Sequence, residues 1–393
     1  MRILITLPWG RRLGGAEAMI QTVFDGAGEA GHELDLVFFE RGPWSEELER
    51  AGFNVTVIEA GRLREPHRWL GCVLALARLM RRRRPELILN WAPKTHLYGA
   101  PAAMLAGMSD RVLWWQHGIP TGGWIDRCAS TLPAVAVGCS SRASARAQRE
   151  VSTKRATFVV APGTRPPRVG GDRLVPELAE LVQRTEPSRT DAEPQRTEPR
   201  RTERTPIVGM VARLEPWKGH DRLLDAQALL RERGRHMHLL MVGGDAYDIS
   251  PDYARSLPEM VQRLDLADAV TMTGQVPDSG PYIERMDILV NASDREPFGI
   301  VLLEAMARGV AVVAVDAGGP AEFIEHERTG MLARSQDPGS LADALEPLLA
   351  SRARRQEMGR AGRERFSRDF TDVAMRKRFF AQMEALAKTR AAV

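Results

Sequence analysis

Along the first 163 residues, short apolar runs alternate with segments whose apolar positions recur at helical spacing. Ile3–Leu7, Leu34–Phe39, Val55–Ile58, Leu87–Leu89, Val112–Trp115, Val135–Val137 and Phe158–Val160 read as strands. Between them lie stretches such as Trp69, Val73, Leu76, Leu79 and Met80, which mark one face of a helix. This alternation predicts a parallel sheet with helices on both faces. The pattern begins again at Ile207, with strands expected at Ile207–Val211, His238–Val242, Val270–Thr273, Ile288–Val290 and Val310–Val315. The chain therefore divides into an α/β half over 1–163, a linker over 164–205 and a second α/β half over 206–370. A last helix, about Thr371–Lys388 within 371–393, follows a change of pattern and is placed to pack back on the first half. In open parallel sheets, ligands sit at the carboxyl ends of the strands, and two such sheets facing one another form a cleft.

The linker is unlike either half. Residues 184–205 hold six Arg, five Thr, four Glu and three Pro, with Ala192 as the only apolar residue. Arg-Thr-Glu recurs three times, twice followed by Pro. Such a stretch has no apolar face to bury and is expected to be extended or disordered.

Composition removes several classes of function. Three cysteines among 393 residues, Cys72, Cys128 and Cys139, suit neither a disulfide framework nor a CxxC metal site. No apolar run approaches the roughly 18 residues of a membrane span. The apolar stretch after Met1 is too short for a signal peptide, which points to the cytoplasm. The net charge of +4 comes from 55 basic and 51 acidic residues, interspersed, with only five Lys among the basic ones. No basic stripe is interleaved with aromatics, so nucleic acid is not an expected partner. Arg81-Arg82-Arg83-Arg84 closes a helix with an apolar face, which suits helix-dipole pairing or peripheral contact with an anionic membrane.

The richest chemistry lies in Arg295-Glu296-Pro297-Phe298-Gly299-Ile300-Val301-Leu302-Leu303-Glu304-Ala305-Met306-Ala307-Arg308-Gly309. It follows a strand and predicts a loop that carries Glu296, then a helix from near Gly299 to before Gly309. A helix that starts at a ligand site aims free N–H groups and its positive end at an anion. Glu304 falls among apolar neighbours, where an idle carboxylate is costly, although a solvated Glu on the polar face fits the spacing equally.

This Glu-x7-Glu segment resembles the retaining glycosyltransferases of family 4, which have the GT-B fold. Other segments resemble the same family in the same order: Gly14-Gly15-Ala16-Glu17, Gln116-His117-Gly118, Gly209-Met210-Val211-Ala212-Arg213-Leu214-Glu215-Pro216-Trp217-Lys218-Gly219, Val242-Gly243-Gly244-Asp245 and Gly318-Gly319-Pro320-Ala321-Glu322. The resemblance implies an α/β chain of GT-B fold, with two Rossmann-like domains facing across a cleft. The donor would be bound mainly by the second domain and the acceptor mainly by the first. It implies a nucleotide diphosphate sugar as donor, UDP-linked by expectation, and a hydroxyl acceptor on a glycan, a lipid-linked precursor or a secondary-metabolite aglycone.

Residue by residue, the resemblance assigns Arg213 and Lys218 to the donor diphosphate. It assigns Glu296 and His117 to the donor sugar, and Glu304 to the ribose hydroxyls. Gly14, Gly15, Phe298, Gly299 and Ile300 provide close backbone approach and helix N–H groups. Fixed cations and amides can replace Mg²⁺, and no Asp-x-Asp pair is present, so neither a metal nor a cofactor is expected. Two segments depart from the family pattern. Ala161-Pro162-Gly163-Thr164-Arg165 stands at the hinge in place of Pro-Asn-Gly-Val-Asp, and Trp9-Gly10-Arg11-Arg12-Leu13 adds two cations before Gly14. A sugar-nucleotide epimerase and a non-catalytic sugar-nucleotide binder are the alternatives. A dehydrogenase is disfavoured, because no GxGxxG follows the first strand.

Overall fold

A computed structural model describes residues 1–12, 14–167, 185, 204–245 and 249–391. The chain forms two compact units, Met1–Thr164 with Asp372–Val393, and Arg165–Thr371.

The first unit carries a seven-stranded, all-parallel sheet. Its elements run β1 (Arg2–Leu7), α1 (Gly15–Ala27), β2 (Glu33–Phe38), α2 (Pro43–Arg50), β3 (Asn54–Val57), α3 (Pro66–Arg83), β4 (Leu87–Asn90), α4 (Pro93–Ala106), β5 (Val112–Gln116), α5 (Trp124–Thr131), β6 (Ala136–Cys139), α6 (Arg142–Val151) and β7 (Ala156–Val159). The sheet order is β3-β2-β1-β4-β5-β6-β7. Ile3, Leu4, Ile5, Leu36, Val37, Ile88 and Leu113 are fully enclosed. Helices cover both faces, which is why the central strands read as unbroken apolar runs rather than alternating ones. Helix starts follow local chemistry. Pro66 and Pro93 open α3 and α4, where a missing N–H costs nothing. Ser141 caps α6 by accepting from the Ser144 N–H. The C-terminal helix Asp372–Ala391 belongs to this unit. Phe379 packs against Trp115, Phe380 packs against His32, and Glu384 lies 3.3 Å from His32 Nε2.

The second unit carries a six-stranded sheet of order β10-β9-β8-β11-β12-β13. The strands are β8 (Ile207–Val211), β9 (His238–Val242), β10 (Val270–Met272), β11 (Ile288–Asn291), β12 (Ala311–Val315) and β13 (Met331–Ala333). The main helices are α7 (His220–Glu232), α8 (Pro251–Arg263), α9 (Ile300–Ala307), α10 (Pro338–Ala350) and α11 (Arg352–Asp369). The core gathers Val208, Met210, Leu223, Leu239, Ile288, Val313 and Leu345.

Most of the expected extended segment 184–205 lies outside the described residues. At its end, Arg204 donates two hydrogen bonds to the Asp287 carboxylate, which ties the entry to β8 to the entry to β11. Among the described residues, no helix is long and apolar enough to cross a membrane.

Candidate active site

In the second unit, chain order reverses between the neighbours β8 and β11. The loops leaving their carboxyl ends diverge there, and this switch point is where open parallel sheets place ligands. After β8 the chain makes a 3₁₀ turn, Pro216–Lys218, and then passes Gly219 at φ 81°. A side chain at Gly219 would stand 2.6 Å from the Ala292 carbonyl, so only glycine lets this turn lie against the residues that follow β11. The Asp294 N–H donates to the Trp217 carbonyl at 3.1 Å and fastens the two loops together.

The fastening brings Lys218 to Glu296. The ammonium donates to Glu296 Oε2 at 2.8 Å, with only 15% and 10% of the two side chains exposed. The same ammonium lies 3.9 Å from the centre of the Trp217 ring, a cation–π contact. Asn291, the last residue of β11, donates to Glu296 Oε2 at 3.2 Å and accepts from the Ser293 N–H at 3.1 Å. Burial pushes the Glu296 carboxyl up, but Lys218 and the hydrogen bond from Asn291, with the Ser293 hydroxyl nearby, outweigh it, and the net shift is downward. Glu296 is therefore ionised at neutral pH, and the site holds a desolvated ion pair. Arg213, in the loop after β8, is about a third exposed and pairs with Glu215 at 2.9 Å.

Gly299 is the N-cap of α9, at φ 93°, a left-handed conformation that glycine adopts without strain. Its geometry turns the chain so that α9 begins at Ile300, beside Glu296. The Phe298 side chain is buried and stacks on Phe323 with ring centres 4.9 Å apart, so it anchors the loop. The Gly319 N–H donates to the Glu296 carbonyl at 2.8 Å. A side chain at Gly319 would overlap the backbone of Pro297 and Phe298. Gly319→Ala is thus expected to cost about 1–3 kcal/mol of stability, as overpacking does, and to displace Glu296. Urea unfolding checks the first effect and donor binding the second; wild-type values for both would show that the loop yields freely.

Glu304 lies one turn into α9 and is partly buried. Burial raises its carboxyl to about 7; Arg308 pulls it down and Asp278 pushes it up. Arg308 spends its own contacts elsewhere, on the Glu304 carbonyl and on Glu284. Among the described residues, the Glu304 carboxyl has no hydrogen-bonding partner.

The first unit has its own switch point, between β1 and β4. Gly15 is the first residue of α1, and Gly14 is its extended, exposed N-cap, where a side chain would meet the Glu17 carboxylate in ordinary contact at 3.9 Å. His117 follows β5. Its Nε2–H donates to the Trp91 carbonyl at 2.5 Å, and burial holds its titration down at about 4. The ring is neutral at physiological pH and keeps Nδ1 as an acceptor. Arg11 and Arg12, the two added cations, pair with Glu40 at 3.0 Å and Glu47 at 2.9 Å. Among the described residues, no three His, Cys, Asp or Glu side chains are grouped to hold a metal ion.

The sequence motifs thus locate Arg213, Lys218, Glu296, Phe298, Gly299, Ile300 and Glu304 on one unit, and Gly14, Gly15 and His117 on the other. They give no role to Asn291, Trp217 and Glu215, each of which holds a charged side chain in place. Asn291 had a visible sign: it is a polar residue closing an apolar strand.

Residues 13–164 match the family described as "Glycosyltransferase Family 4", and residues 191–365 match "Glycosyl transferases group 1". The chain is 32% identical over 281 residues to the GDP-mannose-dependent alpha-(1-6)-phosphatidylinositol monomannoside mannosyltransferase of Mycobacterium tuberculosis, covering 67% of each chain. The chain belongs to glycosyltransferase family 4. This family 4 member is also 37% identical over 190 residues to the D-inositol 3-phosphate glycosyltransferase of Gordonia bronchialis, a match that takes in 46% of this chain and 41% of that one. The chain thus spans less than half the length of that relative. Anabaena Alr3699/HepE, solved in complex with UDP, shares the fold with a TM-score of 0.80 at 23% identity, covering 98% of this chain and all of that one. Sucrose-phosphate synthase from Thermosynechococcus elongatus does so with a TM-score of 0.73 at 22% identity, covering 99% of each. Both units of this family 4 glycosyltransferase are Rossmann-like, and the fold is GT-B.

Proposed function

We propose that this glycosyltransferase moves a sugar from a nucleoside diphosphate sugar to a hydroxyl, with retention at the anomeric carbon and without a metal ion. The observation that carries the reading is the buried Lys218–Glu296 pair at the β8/β11 switch point, beside the start of α9. In the free protein each charge satisfies the other. An incoming diphosphate offers Lys218 a stronger, doubly charged partner, while Arg213 can add its fork from the adjacent loop. Release of Lys218 would free Glu296 to accept from hydroxyls of the donor sugar, with Asn291 still holding it. The N–H groups at the start of α9 add fixed donors where charge grows as the glycosidic bond breaks. Glu304, whose carboxyl has no hydrogen-bonding partner among the described residues, suits the ribose hydroxyls. His117, neutral and held by Trp91, suits a hydroxyl donor rather than an anion.

The motif resemblance favours a UDP-sugar. GDP-mannose is the second reading, favoured by the name of the Mycobacterium tuberculosis relative. Incubation with UDP-glucose, UDP-N-acetylglucosamine, UDP-galactose and GDP-mannose in EDTA, across a panel of glycan, inositol phosphate and lipid-linked acceptors, tests the proposal. The expected product keeps the donor's anomeric configuration by NMR. An inverted product, loss of activity in EDTA with rescue by Mn²⁺, or nucleotide chemistry that proceeds without any acceptor would each overturn it, the last in favour of an epimerase.

The titrations predict a pH profile. Glu304 would accept from the ribose as a carboxylate, so donor affinity should fall as pH drops below about 7, by at most about tenfold per unit. His117 contributes no limb between pH 5.5 and 8, since it titrates near 4. Donor KM measured over that range should therefore rise on the acid side in wild type and stay flat in Glu304→Gln.

A further inference from the structure

The two cations placed at the diphosphate are not held alike, and the difference lies in Glu215. The loop after β8 is extended at this residue, with φ −128° and ψ 141°. Neighbours along an extended segment point to opposite sides. Leu214 turns inward and is buried in the core of the second unit, so Arg213 and Glu215 both turn outward, two positions apart on one side. The Glu215 carboxylate divides its oxygens between two partners. Oε1 pairs with Arg213 at 2.9 Å, and Oε2 accepts from the Trp217 indole N–H at 2.5 Å. The backbone of residue 215 is tied as well: its N–H donates to the Arg213 carbonyl, and its carbonyl accepts from the Lys218 N–H, each at 2.9 Å. Only 14% of the Glu215 side chain is exposed, against 36% for Arg213. The carboxylate is thus the fixed member of the pair and the guanidinium the movable one.

Lys218 differs in its partner. Glu296 turns to the donor sugar once the ammonium leaves it, whereas Glu215 stays anchored to Trp217, whose ring lies 3.9 Å from the Lys218 ammonium. A fixed anion beside a phosphate-binding cation works against the phosphate, and the chemistry of the product gives that opposition a use. Transfer breaks the anomeric C–O bond, leaves its electron pair on the terminal phosphate and passes the acceptor's proton to that phosphate or to water. The second proton of a terminal phosphate leaves at about pH 6, so near neutral pH the product carries about one more negative charge than the donor. Cations that suit the donor therefore grip the product more tightly still. A salt bridge at a partly exposed position has a suitable strength to offset this, since it shifts affinity by only about a few-fold.

We propose that Glu215 competes with the diphosphate for Arg213, holding nucleotide affinity down and recapturing the guanidinium as the nucleoside diphosphate leaves. The proposal rests on the donor reading above and adds to it a residue that sets the rate of product release. A Glu215 that served only to order Arg213 for the phosphate would have the opposite effect, because its loss would then weaken binding.

The test is calorimetric titration of UDP and GDP, in EDTA, into the full chain as wild type and as Glu215→Gln. The amide keeps an oxygen for the Trp217 N–H and removes the charge. In about 50 mM NaCl, Glu215→Gln should bind the nucleotide that wild type binds about 3- to 10-fold more tightly. In about 500 mM NaCl the gain should shrink below about twofold. Nucleotide dissociation, followed in stopped flow by tryptophan emission, should slow by a similar factor, because affinity changes at one site fall mostly on the off-rate. Glu215→Asp keeps the charge and should stay within about twofold of wild type. In an Arg213→Ala background, Glu215→Gln should gain less than about twofold, since the competition runs through Arg213. Circular dichroism checks that each variant is folded. Weaker or unchanged binding in Glu215→Gln overturns the proposal and leaves the donor reading standing. So does a gain that ignores salt, that Glu215→Asp matches, or that persists in full without Arg213. Failure of both nucleotides to bind wild type would overturn the donor reading itself, and this proposal with it.

Discussion

Lys218→Met should reduce transfer by about 10²–10³-fold, the scale for losing a charge donor aimed at the transition state. It should also destabilise the free protein. Methionine keeps the stem over Trp217 but leaves the Glu296 carboxylate buried and opposed by no cation, a situation that costs about 3–5 kcal/mol. The two effects separate in a second variant. Lys218→Met with Glu296→Gln removes both charges, retains the Asn291 hydrogen bond, and should recover most of the stability while activity stays low. Chemical denaturation and initial rates on the three proteins check this. A stable but inactive single variant would mean that the ion pair carries no stability. An unstable but fully active one would remove Lys218 from the donor site.

Glu304→Gln should have the opposite signature, with stability gained and binding lost. The Glu304 carboxyl lies at about 7 in the folded chain against 4.5 for its ordinary value. A carboxyl raised in this way favours folding while protonated, below about 4.5, and that contribution is lost as pH rises through 7. Two and a half units correspond to roughly 3 kcal/mol, less to the extent that water reaches the partly exposed group. At pH 8 the neutral amide should therefore stabilise the protein by up to about 3 kcal/mol, and at pH 4 by almost nothing. Nucleotide affinity should fall, because an amide cannot accept from two ribose hydroxyls as a carboxylate can. Unfolding at both pH values, with nucleotide titration, checks the pair of effects. Unchanged stability across pH would place Glu304 in solvent and remove the reason for its retention.

The strands were legible because both faces of each sheet are covered, so Ile207–Val211 and His238–Val242 appear as unbroken apolar runs with the same limits in the structure. Two elements were not. β13 is three residues long and contains no β-branched side chain, which leaves almost no pattern to detect. The helix Arg352–Asp369 carries seven arginines, and its packed face is made of Arg355, Met358, Gly359, Gly362 and Phe366. Gly359 lies so close to the Gly309 carbonyl that any side chain there would overlap it. Glycine acting as a contact residue is invisible to hydrophobic periodicity. The site shows the same division. Motif spacing located Lys218 and Glu296 separately, but their pairing across 78 positions depends on β8 and β11 being neighbours, which order along the chain does not state. The basic run Arg81–Arg84 shows the limit of composition, since two of its four cations serve the fold: Arg81 donates to the Leu105 carbonyl and Arg83 pairs with Asp35.

The central claim is that the second unit binds a nucleoside diphosphate through Arg213 and Lys218 without a metal ion. Calorimetric titration of UDP and GDP in EDTA, into wild type and into Arg213→Ala with Lys218→Met, tests it most directly. The account predicts that one of the two nucleotides binds wild type at one site per chain, and that the double variant loses this binding by at least about 100-fold, as expected when two charge-assisted contacts go. Absence of binding by either nucleotide, or affinity in the double variant equal to wild type, would contradict it.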